Sequence, residues 1–221
     1  SERGEAINAN LVTGLVTHGV DTDHLTSIEE VIGSILDDTI VGNDDDNTLA
    51  GMAGDDMITA GGGYDAILYS EGDGTGAVVN LAATSFTITS AIGAATGQTT
   101  GTVLAGHARD ESGDTDTFTD AVNIEEIRGT GHNDVIRAGA TGLHMLGLAG
   151  ADTLTGGAST GDWADYSQDG NYGGNAGVRV NIDTAAVSGV AAGRGIDGFG
   201  TTDVLSAIEN LQGSSSDDTL I

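Results

Sequence analysis

The chain has no cysteine and no lysine, and its 221 residues include only three Phe, four Tyr and one Trp. Without cysteine, neither a disulfide nor a thiolate metal site can staple the fold. Without lysine, six arginines stand against 34 acidic residues, a formal charge of −28. Nucleic acid and anionic membrane surfaces are bound through Lys and Arg, so this balance excludes both as partners and favours cations. So few aromatics argue against a thick core and for a thin aliphatic one. No run approaches 18 apolar residues, and the opening SERGEAINAN lacks a charged-then-apolar leader pattern. Neither membrane insertion nor Sec-type targeting is therefore visible.

What the chain has in abundance is glycine, 37 residues of it, placed periodically. In GMAGDDMITAGGGYDAI (51–67), Asp56 precedes Ile58 by two positions, and the pair recurs nine residues later as Asp65 and Ile67. Stepping back by nines gives Asn47 with Leu49, Asp38 with Ile40, and Glu29 with Val31. The blocks are GSILDDTIV (33–41), GNDDDNTLA (42–50), GMAGDDMIT (51–59) and AGGGYDAIL (60–68), then GTGHNDVIR (129–137), AGATGLHML (138–146) and GLAGADTLT (147–155), with GSSSDDTLI closing the chain. Each block reads as six residues of turn chemistry feeding a three-residue strand, and two blocks make one coil. Ile40, Leu49, Ile58 and Ile67 then point inward while Thr39 and Met57 point out. One buried aliphatic per strand contributes about 1.5–3 kcal/mol, little against ordering nine residues at roughly 1–2 kcal/mol each.

The turns must supply the rest. Gly54, Gly61, Gly62 and Gly63 permit positive φ and so can turn backbone carbonyls toward a common point, to which the Asp in position six adds a carboxylate. Oxygen-only ligands suit a hard cation. Coils about 4.8 Å apart bring residues 18 apart into register, setting Asp38 beside Asp56 and Asn47 beside Asp65, where a divalent ion would join coils and cancel charge.

This G-G-x-G-x-D-x-U-x pattern, best matched at 51–68 and 147–155, resembles the RTX or haemolysin-type calcium-binding repeat. The resemblance implies an all-β fold: a right-handed parallel β-roll or β-solenoid built on nonapeptides, with larger inserted β-coils. It implies Ca²⁺ as cofactor, with Asp38, Asn47, Gly54, Asp56, Gly63, Asp65, Asp134, Asp152, Asp162 and Asp218 as the metal-site residues. Position six departs from the pattern at Asn47 and Leu143, and GGASTGDWADYS (156–167) carries an extra residue before Asp162.

A longer repeat overlies the short one. TDHLTSIEEVIG (22–33) aligns without a gap onto TDVLSAIENLQG (202–213), and DTFTDAVNIEEIRG (116–129) fits with a three-residue insertion. Upstream lie INANL (7–11), AVVNL (77–81) and VRVNI (178–182), with Asn10, Asn80 and Asn181 equivalent, and Tyr69-Ser70 recurs as Tyr166-Ser167. Three units follow: a partial one at 1–68, a complete one at 69–165 and a partial one at 166–221. Solenoids need capping ends, and none is visible, so the chain reads as a slice of a longer array. The stretch 82–114 departs furthest from period nine; alternation in SFTITS and flanking glycines predict a hairpin or enlarged coil there.

Other motifs do not lead to chemistry. GRGIDG (193–198) satisfies G-x-G-x-x-G but precedes no helix, so no dinucleotide site is expected. DESGDTDTFTD (110–120) suggests an EF-hand loop, but Gly113 falls at its fourth position rather than the sixth; it reads as an acidic loop with incidental cation affinity. His18, His24, His107, His132 and His144 show neither metal-ligand nor catalytic spacing, and Trp163 and Tyr166 are expected as packing at the end of a roll. The expected function is therefore not enzymatic. It is a calcium-binding structural region of a secreted or cell-surface protein, such as a surface layer or adhesin, folding on Ca²⁺ outside the cell after type I secretion. Partners are calcium ions, with other copies of the protein or surface polysaccharide next in line. The alternative is an accessory module of a secreted protease, lipase or polysaccharide epimerase whose catalytic domain lies outside these residues.

Overall fold

The computed structural model describes residues 4–69 and 74–221. Short strands dominate, and they form two large sheets of fourteen and seven strands facing each other across one aliphatic core, with a separate two-stranded sheet to one side. Successive nonapeptide strands alternate between the large sheets. Thr39–Val41 and Met57–Thr59 pair in parallel in the larger, Thr48–Ala50 and Ala66–Leu68 in the smaller. The register is 18 residues, Ile40 opposite Ile58 and Leu49 opposite Ile67. Val135–Arg137 and Thr153–Thr155 repeat it, with Ile136 opposite Leu154. This is a parallel β-roll, and its period follows from the sequence: two nine-residue blocks per coil, one inward side chain in each strand.

Those inward side chains make the core. Ile40, Leu49, Ile58, Ile67, Ile136, Met145 and Leu154 are all fully buried in one cluster, while Met57, on the other face of its strand, is exposed. Leu143, in position six of its block, is buried in the same cluster. Strands of all three long repeats join both sheets: Thr115–Phe118 pairs in parallel with Met57–Thr59, and Glu126–Arg128 with Ala66–Leu68.

The roll is not purely parallel. His107–Arg109 lies antiparallel between Val78–Asn80 and Thr115–Phe118, and Arg194–Ile196 lies likewise between Arg179–Asn181 and Thr202–Ser206. Each long unit thus folds a hairpin into the larger sheet, which is why that sheet has twice the strands of its partner. The excursion at 82–114 contains a hairpin as expected, Phe86–Ile88 against Gly101–Val103, but also an α-helix, Ser90–Thr96. Alternation in SFTITS ends at Thr89, which serves as N-cap, and Gly97 closes the helix in the left-handed conformation at φ 82°. The equivalent asparagines hold the roots of these excursions: Asn80 Nδ2 donates to the carbonyls of Thr84 and Leu104, and Asn181 Nδ2 to those of Ala185 and Val190. Tyr69 and Tyr166 are both buried; Ser70 lies outside the described residues. Trp163 is not confined to an end of the roll, since its strand pairs on both sides, and its ring stacks on His144 with centroids 5.1 Å apart. No described helix is long and apolar enough to cross a membrane.

Candidate metal centre

Position six of the nonapeptides forms a ladder along each corner of the roll, a carboxylate at every block except those of Asn47 and Leu143. In the first corner the Ile7 N–H donates to Asp38 Oδ1 at 2.7 Å, Asp38 N–H to Asp56 Oδ1 at 2.7 Å, and Asp56 N–H to Asp116 Oδ1 at 3.3 Å. The run resumes with Ala77 on Asp134, Asp134 on Asp152 and Asp152 on Asp203, and again with Val178 on Asp218. In the other corner Asn47 N–H donates to Asp65 and Asp65 N–H to Glu125 Oε2, while Leu143 donates to Asp162 and Asp162 to Glu209. One oxygen of each acid thereby answers a backbone donor that the tight turn would leave unpaired.

The second oxygen divides the turns into two kinds. Where position two is Ser, Thr or Asn, the turn satisfies itself. Ser34 donates its N–H to Asp38 Oδ2 and its hydroxyl to Oδ1; Thr130 does the same for Asp134 at 2.7 and 2.9 Å. Asn43 and Asn47 bond reciprocally, and the Ser214 hydroxyl reaches Asp218 at 2.7 Å, though on Oδ1, the oxygen that also takes the Val178 N–H. Each position-two oxygen also accepts the N–H two residues on, as Ser34 does from Leu36 and Thr130 from His132. Asp162 joins this kind: despite the extra residue, the Gly157 N–H reaches its Oδ2 at 2.8 Å.

Where position two is Met52, Gly61 or Leu148 and position four is Gly, the turn opens. Both positions have left-handed φ: 78° and 117° at Met52 and Gly54, 112° and 110° at Gly61 and Gly63, 62° and 132° at Leu148 and Gly150. Glycine is required in position four on two counts, since a Cβ at Gly54 would also lie 2.6 Å from the Leu36 carbonyl carbon on the neighbouring coil. In all three open turns Oδ2 of the position-six acid, Asp56, Asp65 or Asp152, is buried without a hydrogen-bond partner. A buried carboxylate oxygen left so is costly and calls for a counter-charge. Burial, with the charges of Asp38, Asp110 and Asp37 adding to it, pushes the Asp56 carboxyl up to about 7; burial and Glu125 push Asp65 up to about 6. Asp152 is raised in the same direction by burial and by Asp134 and Asp203.

Of the residues singled out from the sequence, Gly54, Asp56, Gly63, Asp65 and Asp152 thus fall in open turns, Asp38, Asn47, Asp134 and Asp162 in self-satisfied ones, and Asp218 takes both Val178 and Ser214 on Oδ1. Each open turn stacks on a closed one 18 residues earlier and is followed on its other side by an acid of the long repeat: Asp116, Glu125 or Asp203. These three were visible in the long-range alignment, but only the fold brings them to the ladder. Among the described residues no group of three or more His, Asp or Glu side chains could hold a metal ion. An ion in an open turn would therefore be held by one or two carboxylates and by carbonyls of the left-handed backbone, a donor set that fits Ca²⁺.

A comparison with protein families matches residues 32–67 and 144–160 to the RTX calcium-binding nonapeptide repeat, in four copies. The matched segments contain the position-six acid of all three open turns, and they are RTX calcium-binding repeats. A comparison with curated proteins gives no match.

Proposed function

We propose that this RTX-repeat chain is a structural region of a secreted or cell-surface protein, architectural rather than catalytic, in which Ca²⁺ ions at the open turns tie successive coils together. The observation that carries the reading is a coincidence of three features in the same turns: left-handed φ in positions two and four, a glycine packed on the coil beneath, and a buried carboxylate oxygen without a partner. A solvated acidic turn accounts for none of these together. The repeat of a whole long unit supports an array whose length is its function, with calcium as the partner of its open turns. In low calcium the unneutralised acids would oppose folding, so such a chain could leave the cell unfolded and order outside.

The test is calorimetric counting of bound Ca²⁺. Asp56→Asn, Asp65→Asn and Asp152→Asn each lose one ion, whereas Asp38→Asn and His107→Ala lose none. Equal stoichiometry and affinity across all five would remove the assignment.

A further inference from the structure

The acidic loop at 110–114 lies outside every nonapeptide block, as the turn between His107–Arg109 and Thr115–Phe118. Asp110 is 0% exposed; its Oδ1 accepts the N–H groups of Ser112 at 2.9 Å and Asp114 at 2.8 Å, and its Oδ2 has no partner. Glu111 is 4% exposed, and its Oε2 has no partner. Gln98 closes the turn from the far end of the helical excursion. At 5% exposed, it donates its amide nitrogen to Thr75 Oγ1, to the Gly76 carbonyl and to the Asp110 carbonyl, leaving its own Oε1 without a partner 3.8 Å from where a Cβ of Gly113 would stand. Three buried oxygens around one turn thus accept nothing. The neighbouring cation does not answer them: Arg109 directs Nη1 to Thr99 Oγ1 and the Gly113 carbonyl.

In the following unit the equivalent turn satisfies its own carboxylate, although Asp169 beside it, whose Oδ2 accepts the Gly198 N–H, keeps a buried Oδ1 without a partner. Asp197 stands in place of Asp110, and its Oδ1 accepts the N–H groups of Phe199 at 3.0 Å and Thr201 at 2.7 Å. There the Thr201 hydroxyl donates to Asp197 Oδ2, while Gly198 occupies the position of Glu111. Gly113 and Gly200 have matching left-handed φ of 91° and 89°, so the backbone is the same and only the side chains differ. In the earlier unit Asp114 stands where the sister turn has the donor Thr201, its Oδ2 taking the Gly54 N–H at 3.3 Å, and Glu111 puts a carboxylate on the turn itself where the sister turn has Gly198 with Asp169 beside it. Both changes run toward a positive ligand.

We propose that the Asp110–Asp114 turn is a separate divalent-cation site for a hard ion of the Ca²⁺ class, with Asp110 Oδ2, Glu111 Oε2 and Gln98 Oε1 as its side-chain ligands. Its ligands come from a β-hairpin and from a glutamine of the excursion and belong to no nonapeptide, although the hairpin turn stacks on the open turn at 51–56, whose Gly54 N–H donates to Asp114 Oδ2 at 3.3 Å.

Calcium counting by native mass spectrometry and calorimetry on the whole chain tests it. Glu111→Gln keeps the shape, and Glu111→Gly restores the residue of the sister turn; Glu111 Oε2 makes no hydrogen bond to lose. Each variant is expected to bind one ion fewer than the parent, or to bind that ion at least tenfold more weakly, while Asp56→Asn removes a different ion and the Asp56→Asn/Glu111→Gln pair removes two. Parent-like stoichiometry and affinity in both Glu111 variants would overturn the site, whatever Asp56→Asn does.

Discussion

At Asp56 one carboxylate oxygen takes a backbone N–H and the other meets nothing, whereas at Asp38 both oxygens are answered within reach of Ser34. The same residue type in the same repeat position therefore has opposite needs, decided four residues upstream. A further acid carries this cost outside the repeats. Asp169 Oδ2 accepts the Gly198 N–H at 2.8 Å, Oδ1 is buried without a partner, and burial with the charges of Asp197, Asp165 and Asp218 pushes the carboxyl up to about 7. A carboxyl with a raised folded pKa contributes stability that is full below its unfolded value and is lost as pH rises toward about 7. Asp169→Asn keeps an oxygen for Gly198 and removes the charge. In saturating Ca²⁺ it should raise stability at pH 8 by at least ~1 kcal/mol, the worth of one pKa unit, and change little at pH 4. Thermal unfolding at the two pH values checks this; equal effects at both would contradict it.

Among elements, the nonapeptide turn is the unit that matters, and it exists in two forms from nearly one consensus. Glycine in position four belongs to the open form because the chain there is left-handed and lies against the coil beneath. Gly54→Ala and Gly150→Ala place a Cβ 2.6 Å and 2.4 Å from backbone atoms of Leu36 and His132, so each should cost about 1–3 kcal/mol in Ca²⁺, read as a fall in unfolding midpoint. Gly131→Ala, with open space around it, should cost far less. The alternation of strands, their 18-residue register and the inward aliphatics were legible in the sequence because Asp, Gly and Ile recur in phase. The two forms of turn were not. Met52 and Leu148 adopt positive φ against the ordinary preference of bulky residues, and nothing local announces it. The helix at Ser90–Thr96 was also missed, although Thr89 and Gly97 carry its caps, because seven residues of Ser, Ala, Gly, Ile and Thr show no helical periodicity.

For the whole molecule, two continuous sheets enclose a core one aliphatic side chain deep per strand, and 34 acidic residues oppose its closure. With site affinities of about 0.1 mM and about 1 mM free Ca²⁺, each occupied turn adds roughly 1.4 kcal/mol, so three open turns supply about 4 kcal/mol, comparable to the stability of a marginal domain. Mg²⁺ demands shorter, near-octahedral coordination and gives up its water reluctantly, so millimolar Mg²⁺ should not restore the β-structure lost to a chelator; recovery of the same far-ultraviolet spectrum in Mg²⁺ would refute the selectivity. The most direct measurement is circular dichroism of the whole chain during a Ca²⁺ titration from excess chelator. Calcium-held coils predict a cooperative rise of β-signal from a coil-like baseline, shifted to higher Ca²⁺ by Asp56→Asn and Asp152→Asn. A chain already fully folded in chelator, with a spectrum indifferent to Ca²⁺, would contradict it.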